Sequence, residues 1–374
     1  MFITIIIFIA VLSLLVFAHE MGHFWVARRF GLRPKEFGFG MPPRAFGIYK
    51  DKDGKWKKTR GNKEITDASD TIYSINWLPL GGFVALGEDD ASTDDPNHFH
   101  NKPAWQRFLI LVSGVSMNVV LAAVLISFGL MIGLPQTIDE TDHSAKVTER
   151  KIQIIEVLPD SIASRGGVEV NDIILSVNGN NFSNSAELQD YVDANIDKEI
   201  IYHIKRGQDD LELKLTPRLR EDTERGGIGV GIVDTGIVKY SFFQAIWNGI
   251  KTTLFLTWYI ALAFYELIKG LVTGQGLSVE LGGPVRIAQI TGDAARMGLP
   301  YLINFSALLS INLAIINILP FPALDGGRIL FIFLEKIIGR PVKKELEGAI
   351  HYIGFILLMI LILLITYKDI ARLF

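Results

Sequence analysis

The feature that most constrains this chain is a group of ionisable side chains where lipid should exclude them. His19, Glu20 and His23 sit in a run that carries no other charge from Met1 to Arg28. That is long enough for a helix to cross the hydrocarbon of a bilayer, which takes about 20 residues. Each ionisable group at such depth costs about 3 kcal/mol on insertion scales, so groups retained there mark functional sites. The spacing is H-E-x-x-H. On a helix it places both imidazoles on one face, where they can share a metal ion while the glutamate between them faces the attacking water. In a soluble helix such a pattern can arise by accident; inside an apolar span the accidental reading weakens.

The chain has 374 residues, 49% of them hydrophobic and 21% charged, with a mean hydropathy of +0.31. It is too apolar for an ordinary soluble enzyme and too charged for a bundle of spans alone, so part membrane and part water-exposed domain is expected. A net charge of −3 gives no sign of nucleic acid as a partner. With no cysteine, disulfides, thiolate ligands and a cysteine nucleophile are excluded. Any metal must be held by His, Asp or Glu. The first 18 residues lack the basic start and the small-residue cleavage site of a secretory signal, so they read as a retained span.

Four uncharged stretches reach or approach spanning length: Met1 to about Arg28, Phe108 to Leu134, Tyr301 to Leu324, and Gly348 to Tyr367. A fifth, Thr252 to Tyr265, is shorter and carries Phe255, Trp258, Tyr259 and Phe264 beside Trp247; an interfacial or re-entrant amphipathic helix is expected. The segment between the first two spans is polar and glycine-rich and reads as β-hairpin and loop. Its Lys and Arg, with those from Lys336 to Lys344, place both loops in the cytoplasm by the positive-inside rule. From Lys151 to Arg218 short β-rich runs surround one helix-like stretch, Ser185 to Ala194, as in a small soluble domain of mostly antiparallel strands.

A catalytic zinc needs three protein ligands and an open position. Asp325, in Asn317-Ile318-Leu319-Pro320-Phe321-Pro322-Ala323-Leu324-Asp325-Gly326-Gly327, is the only carboxylate within or bordering the third stretch; its plainer reading is a helix-end aspartate beside a glycine turn. His19 lies about 27 Å along its helix from the N-terminus. It meets Asp325 only if both spans enter the membrane from the same side, which requires residues 252–265 not to cross. Pro320 and Pro322 free backbone groups that must line a cavity, and the Asn317 amide is a candidate anchor for extended substrate. The edge from Gly82 through Phe83 and Val84 to Leu86 is a candidate acceptor for a substrate strand, its glycines reading equally as an ordinary turn. His98-Phe99-His100, after the acidic run Glu88 to Asp95, reads as a solvated loop.

His19-Glu20-Met21-Gly22-His23, the Asn317 to Gly327 segment, Gly38-Phe39-Gly40, Pro79-Leu80-Gly81-Gly82-Phe83-Val84 and Gly282-Gly283-Pro284-Val285-Arg286 together resemble the bacterial site-2 protease family of intramembrane zinc metalloproteases. The resemblance runs over nearly the whole chain. It implies Zn²⁺ held by His19, His23 and Asp325, catalysis by Glu20, and substrate handling by Asn317, Pro320 and Pro322. The soluble insert is similar to a bacterial PDZ domain in Leu158-Pro159-Asp160-Ser161-Ile162-Ala163, Gly166-Gly167-Val168 and Asn171-Asp172-Ile173-Ile174, with Ile162 where relatives usually have proline. Such a domain would bind a chain end or filter substrates by size.

The expected fold is an α-helical polytopic membrane protein of four transmembrane helices, with a membrane-associated β-hairpin region and an inserted small α+β PDZ domain. The parts are residues 1–134, the first membrane half; 135–225, the PDZ domain; 226–300, an interfacial helix and linker; and 301–374, the second membrane half. The expected function is hydrolysis of a peptide bond within or near the transmembrane segment of single-span membrane proteins, such as anti-sigma factors or signal-peptide remnants. It would act in the bacterial inner membrane, with both termini and the PDZ domain outside the cytoplasm. The rival readings are a non-catalytic membrane PDZ scaffold or chaperone, and a cation transporter using His19, Glu20 and Asp325 as a relay.

Overall fold

A computed structural model describes residues 2–86, 98–138, 144–207, 209–220, 225–274, 282–340 and 342–371. The acidic run Glu88 to Asp95 lies outside the described residues. The chain forms two compact units, one of residues 1–128 with 246–374 and the other of residues 129–245.

In the first unit four helices are long and apolar enough to cross a membrane: α1 (Phe2–Arg29), α2 (Ala104–Ile132), α7 (Leu299–Ile318) and α9 (Lys344–Ala371). Their outer faces carry exposed Ile, Leu, Phe and Val, such as Ile3, Val124, Phe355 and Leu363, a surface that water would not tolerate on four helices at once. The buried face of α7 mixes small and polar residues, Ser306, Ala307, Ser310 and Ala314, with Ile303, Ile311 and Ile315.

The segment after α1 is more than a hairpin. β1 (Glu36–Lys50), β2 (Trp56–Arg60) and β3 (Ile72–Ala85) form an antiparallel sheet in the order β2-β1-β3. β1 and β3 are both bent, so Phe37 faces Tyr73 on one side and Val84 on the other. The bends fall at Gly40 and Gly81, whose positive φ values of 81° and 71° suit glycine. The strip Gly82–Ala85 is thereby left on the sheet edge, paired with residues 35–39 on its inner side. The tip around Met41, Trp77, Leu78 and Leu80 is apolar and exposed.

The fifth apolar stretch is also longer than its uncharged core suggested. α5 runs over Phe242–Thr273, 32 residues, because Lys251, Glu266 and Lys269 stay at its surface and do not interrupt the backbone ladder; Glu266 and Lys269 pair at 3.0 Å one turn apart. Phe243, Trp247, Phe255, Trp258, Tyr259 and Tyr265 are all exposed along it. α6 (Pro284–Met297) follows. Its N-terminus is capped from the far end of α9, where Asp369 accepts from the Gly283 and Arg286 amides at 3.3 and 3.0 Å.

The second unit holds a six-stranded antiparallel sheet in the order β4-β11-β5-β6-β7-β8. These are Leu134–Thr137, Val230–Lys239, Lys146–Val157, Ile173–Val177, Ile200–Arg206 and Asp209–Leu215. A short helix α3 (Ile162–Arg165), a helix α4 (Ser185–Asp193) and the small hairpin of β9 (Arg218–Arg220) and β10 (Arg225–Gly227) complete it. α4 is capped by Asn184, whose Oδ1 accepts from the Glu187 amide at 2.8 Å. It buries Leu188 and Val192, four residues apart, against Ile152, Ile174, Ile200 and Ile204. The expected domain end at 225 falls before β11, which is an interior strand of this sheet. The glycines at 226, 227, 229 and 231 read as linker in the sequence, yet they deliver the chain into the sheet beside Glu156.

One buried ion pair ties this unit together. The Asp172 side chain is fully buried and receives Arg206 through Nε at 2.8 Å and Nη2 at 2.7 Å, and the Glu169 amide at 2.9 Å. Burial pushes the Asp172 carboxyl up, but Arg206 and the amide outweigh it and hold it below the usual carboxylate range. The pair's contribution is therefore present above the unfolded value of about 3.9 and is lost as pH falls through the lower folded value. Arg206→Met is expected to destabilise this unit by about 3–5 kcal/mol at pH 7, read as faster hydrogen exchange at β6 and β7 amides. The difference from the unsubstituted protein should shrink below about pH 4.

Candidate metal centre

α1 presents His19 and His23 on one face, and the approach of α2 decides what they can do. Gly22 of α1 and Gly114 of α2 allow that approach: a Cβ at Gly22 would lie 2.3 Å from the Ser113 carbonyl oxygen, and one at Gly114 would lie 2.3 Å from His23 Nε2. With both side chains absent, the imidazoles fill the gap. His23 Nδ1 lies 2.8 Å from the Ile110 carbonyl oxygen; donating there leaves Nε2 with its lone pair facing inward. His19 Nε2 is 3.1 Å from His23 Nε2.

Asp325 arrives from about 300 residues further on. It is the first residue of α8 (Asp325–Ile338), preceded by a turn in which Ala323 takes a positive φ of 77°. The turn is wedged from both sides. Gly326 and Gly327 of α8 pass so close to the Leu319 and Phe321 carbonyls that a Cβ would lie 2.1 and 2.4 Å from them, and Gly354 of α9 does the same against Pro322. The Ala323 amide donates to His351 Nδ1 of α9 at 2.9 Å. α8 itself is seated by Ile329 and Ile332, which pack with Ala27, Ile110 and Leu111, and by the Arg107–Glu335 ion pair at 2.5 Å.

The outcome is that Asp325 Oδ2 stands 3.0 Å from His19 Nε2 and 3.3 Å from His23 Nε2. No hydrogen-bond donor partners that oxygen. Among the described residues this is the one cluster of three His, Cys, Asp or Glu side chains whose ligand atoms all lie within 4.8 Å of one another. Three lone-pair-bearing atoms converging at 3.0 to 3.3 Å repel unless a proton or cation stands among them. Tetrahedral zinc ligands at 2.0–2.1 Å are about 3.3 Å apart, so the separations and the nitrogen and oxygen donors fit that ion.

Glu20, between the histidines, has its carboxylate within hydrogen-bond reach of the Val84 amide and electrostatic reach of His19, His23 and Asp325. The strip Gly81–Val84 lies along α1. Ser13 Oγ donates to the Pro79 carbonyl at 2.7 Å and accepts from the Gly81 amide at 3.2 Å. Val16 touches Gly81 and Phe17 touches Gly82. Phe83 packs against Gly38. Of the other expected residues, Pro320 and Pro322 lie in the turn before Asp325, and Asn317 is half-buried next to the last residue of α7.

His98-Phe99-His100 is not the solvated loop its neighbours suggested. Phe99 and His98 are buried, because Phe99 inserts among Ala27, Leu32 and Ile110. Sequence reasoning passed over Ser13, Gly114, Asn118 and His351. Asn118, fully buried within an apolar span, carried a signal in its polarity alone.

A largely buried three-donor cluster with a glutamate between the two histidines defines the class: a zinc metalloprotease, here in a unit with four helices long and apolar enough to cross a membrane. The sequence model of peptidase family M50 matches residues 7–59 and 63–361, and the chain belongs to that family. Among its relatives is CPE1693 of Clostridium perfringens (strain 13 / Type A), which carries a provisional zinc metalloprotease name and is 35% identical over 96% of each chain. Another is the regulator of sigma-W protease RasP of Bacillus subtilis (strain 168), 28% identical over 99% of each chain. Among solved structures, the PDZ domain of an SdrC-like protein from Listeria innocua is 22% identical over 22% of this chain and 92% of that one, with a TM-score of 0.21.

Gly114→Ala tests the geometry of the centre. A glycine-to-alanine change inside a helix otherwise stabilises by about 1 kcal/mol, but here the methyl group occupies the space of the imidazole tips. The variant is expected to fold and lose most of its zinc, measured by plasma mass spectrometry after dialysis against a weak chelator. A full equivalent retained contradicts the arrangement.

Proposed function

We propose that this protein hydrolyses peptide bonds within or near the transmembrane segment of single-span membrane proteins. Zn²⁺ would be held by His19, His23 and Asp325, with Glu20 as general base. The observation that carries the reading is the convergence of these three donors, from helices far apart in sequence, at one buried point beside Glu20. When bound, the metal supplies Lewis acidity toward water and the scissile carbonyl. Glu20 takes the proton from the attacking water and returns it to the leaving amine. The open edge Gly82-Phe83-Val84 receives the substrate as an added strand, which gives it backbone partners that lipid lacks and unwinds it for attack. Asn317, Pro320 and Pro322 line the opposite side of that path.

The residues 301–374 half and the residues 1–134 half then form one membrane unit, and α5 lies at its interface with the exposed aromatics in the headgroup layer. Keeping α5 from crossing puts both termini and the second unit outside the cytoplasm of a bacterial inner membrane, with basic loops inside. We read that second unit as a PDZ domain that binds a chain end or screens substrate size. RasP is named regulator of sigma-W protease, which favours anti-sigma factors as a substrate class; signal-peptide remnants are the other class we propose. A non-catalytic scaffold would have no use for an intact donor set around a half-buried glutamate.

Glu20→Gln is expected to lower cleavage of a single-span reporter by about 10²–10⁴-fold with zinc content unchanged; normal cleavage refutes the role. Ser13→Ala is expected to raise KM for that reporter more than it lowers kcat, since it frees the Pro79 to Gly81 turn from α1. Ser13→Thr, which keeps the hydroxyl, should restore KM.

A further inference from the structure

The fully buried Asn118 of α2 is a second side chain that the reaction described above does not use. Its amide approaches His19: Nδ2 stands 3.3 Å from His19 Nδ1, and Oδ1 has no hydrogen-bond partner. Its backbone is also fixed, since Ser310 Oγ of α7 donates to the Asn118 carbonyl at 2.8 Å. The amide is therefore held at the outer nitrogen of one imidazole while the inner nitrogen faces Asp325 at 3.0 Å.

The two nitrogens of an imidazole are linked. A neutral ring that offers its Nε2 lone pair to a metal must carry its proton on Nδ1. Against an Nδ1–H, an amide NH₂ puts donor against donor. The oxygen and nitrogen of an amide side chain have nearly the same shape, so exchanging them by rotation moves no other atom. Rotated, Oδ1 accepts from Nδ1–H. His23 already has this arrangement through the Ile110 carbonyl, so both imidazoles gain an outer acceptor and an inner lone pair.

We propose that Asn118 is a positioning residue that accepts the His19 Nδ1 proton through its Oδ1, holding His19 as the Nδ1–H tautomer before the metal arrives. The inference rests on the reading of His19 as a ligand and deepens it. Outer acceptors of this kind typically account for 10–100-fold in metal affinity. Asn118→Leu keeps the shape and removes the acceptor. Asn118→Asp keeps the acceptor.

The test uses the full-length protein in detergent. Zinc affinity is measured by competition with a chromogenic chelator, and the His19 tautomer by nitrogen-15 resonances of the metal-free protein, assigned by difference from His19→Gln. Asn118→Leu is expected to weaken zinc binding about 10–100-fold, and Asn118→Asp to bind within about threefold of the unsubstituted protein. In the metal-free protein, where one of the other two donors carries the proton that stands among the three, His19 is expected to be protonated on Nδ1, against the Nε2–H preference of free histidine. Should Asn118→Leu not fold, the tautomer in the unsubstituted protein still decides. An Nε2–H form there, or unchanged affinity in folded Asn118→Leu, overturns the proposal. Neither readout depends on proteolysis, so failure of the proposed cleavage reaction would be seen separately, in Glu20→Gln.

Discussion

Two imidazoles and a carboxylate cannot remain in an apolar surround unless each finds a partner, and that requirement shapes the membrane unit of this protein. They can share one ion only if α1, α2 and the turn that leads into α8 come closer than ordinary side chains permit. Glycines provide the closeness at Gly22, Gly114, Gly326 and Gly327, each filling a place where a Cβ would overlap a carbonyl or an imidazole. Interiors are packed too tightly to absorb such overlaps by small shifts. The polar demand of the centre thus dictates the helix packing, which is the reverse of a soluble core, where packing comes first and polar groups are fitted to it.

The same demand explains what the sequence disclosed. His19, Glu20 and His23 were legible because local spacing on one helix is readable in a single chain, and Asp325 because an acid beside an apolar stretch is rare. The four spans were legible from length and hydropathy alone. The sheet was less so. Its bent strands pair twice, and Phe37 between Tyr73 and Val84 follows from turns at Gly40 and Gly81 whose partners lie some 40 residues apart. The end of the second unit was illegible for a related reason: β11 joins β4 and β5 from far along the chain, and the glycines at 226, 227 and 229 just before it read as a break. Gly114 stayed hidden because an apolar helix shows no periodicity that marks which side meets another helix, and Asn118 was marked by its polarity alone.

Ser13, Val16, Phe17 and Glu20 meet Pro79, Gly81, Gly82 and Val84 in order, so a helix and an extended strip run side by side. A helix rises about 1.5 Å per residue and a strand about 3.3 Å. The seven helical steps from Ser13 to Glu20 rise about 10 Å, less than five fully extended steps from Pro79 to Val84 would cover, and the bend at Gly81 lies within that strip.

The turn before Asp325 is braced from α9, by His351 on the Ala323 amide and by Gly354 against Pro322. Ribosomes make the chain from its N-terminus, so His19, Glu20 and His23 are in the membrane long before residue 354 of 374 exists. Until α9 is in place, the third donor is seated by α8 alone, without the brace on the turn that precedes it. The order of synthesis thus delays that last constraint on the centre until well after His19, Glu20 and His23 have been inserted.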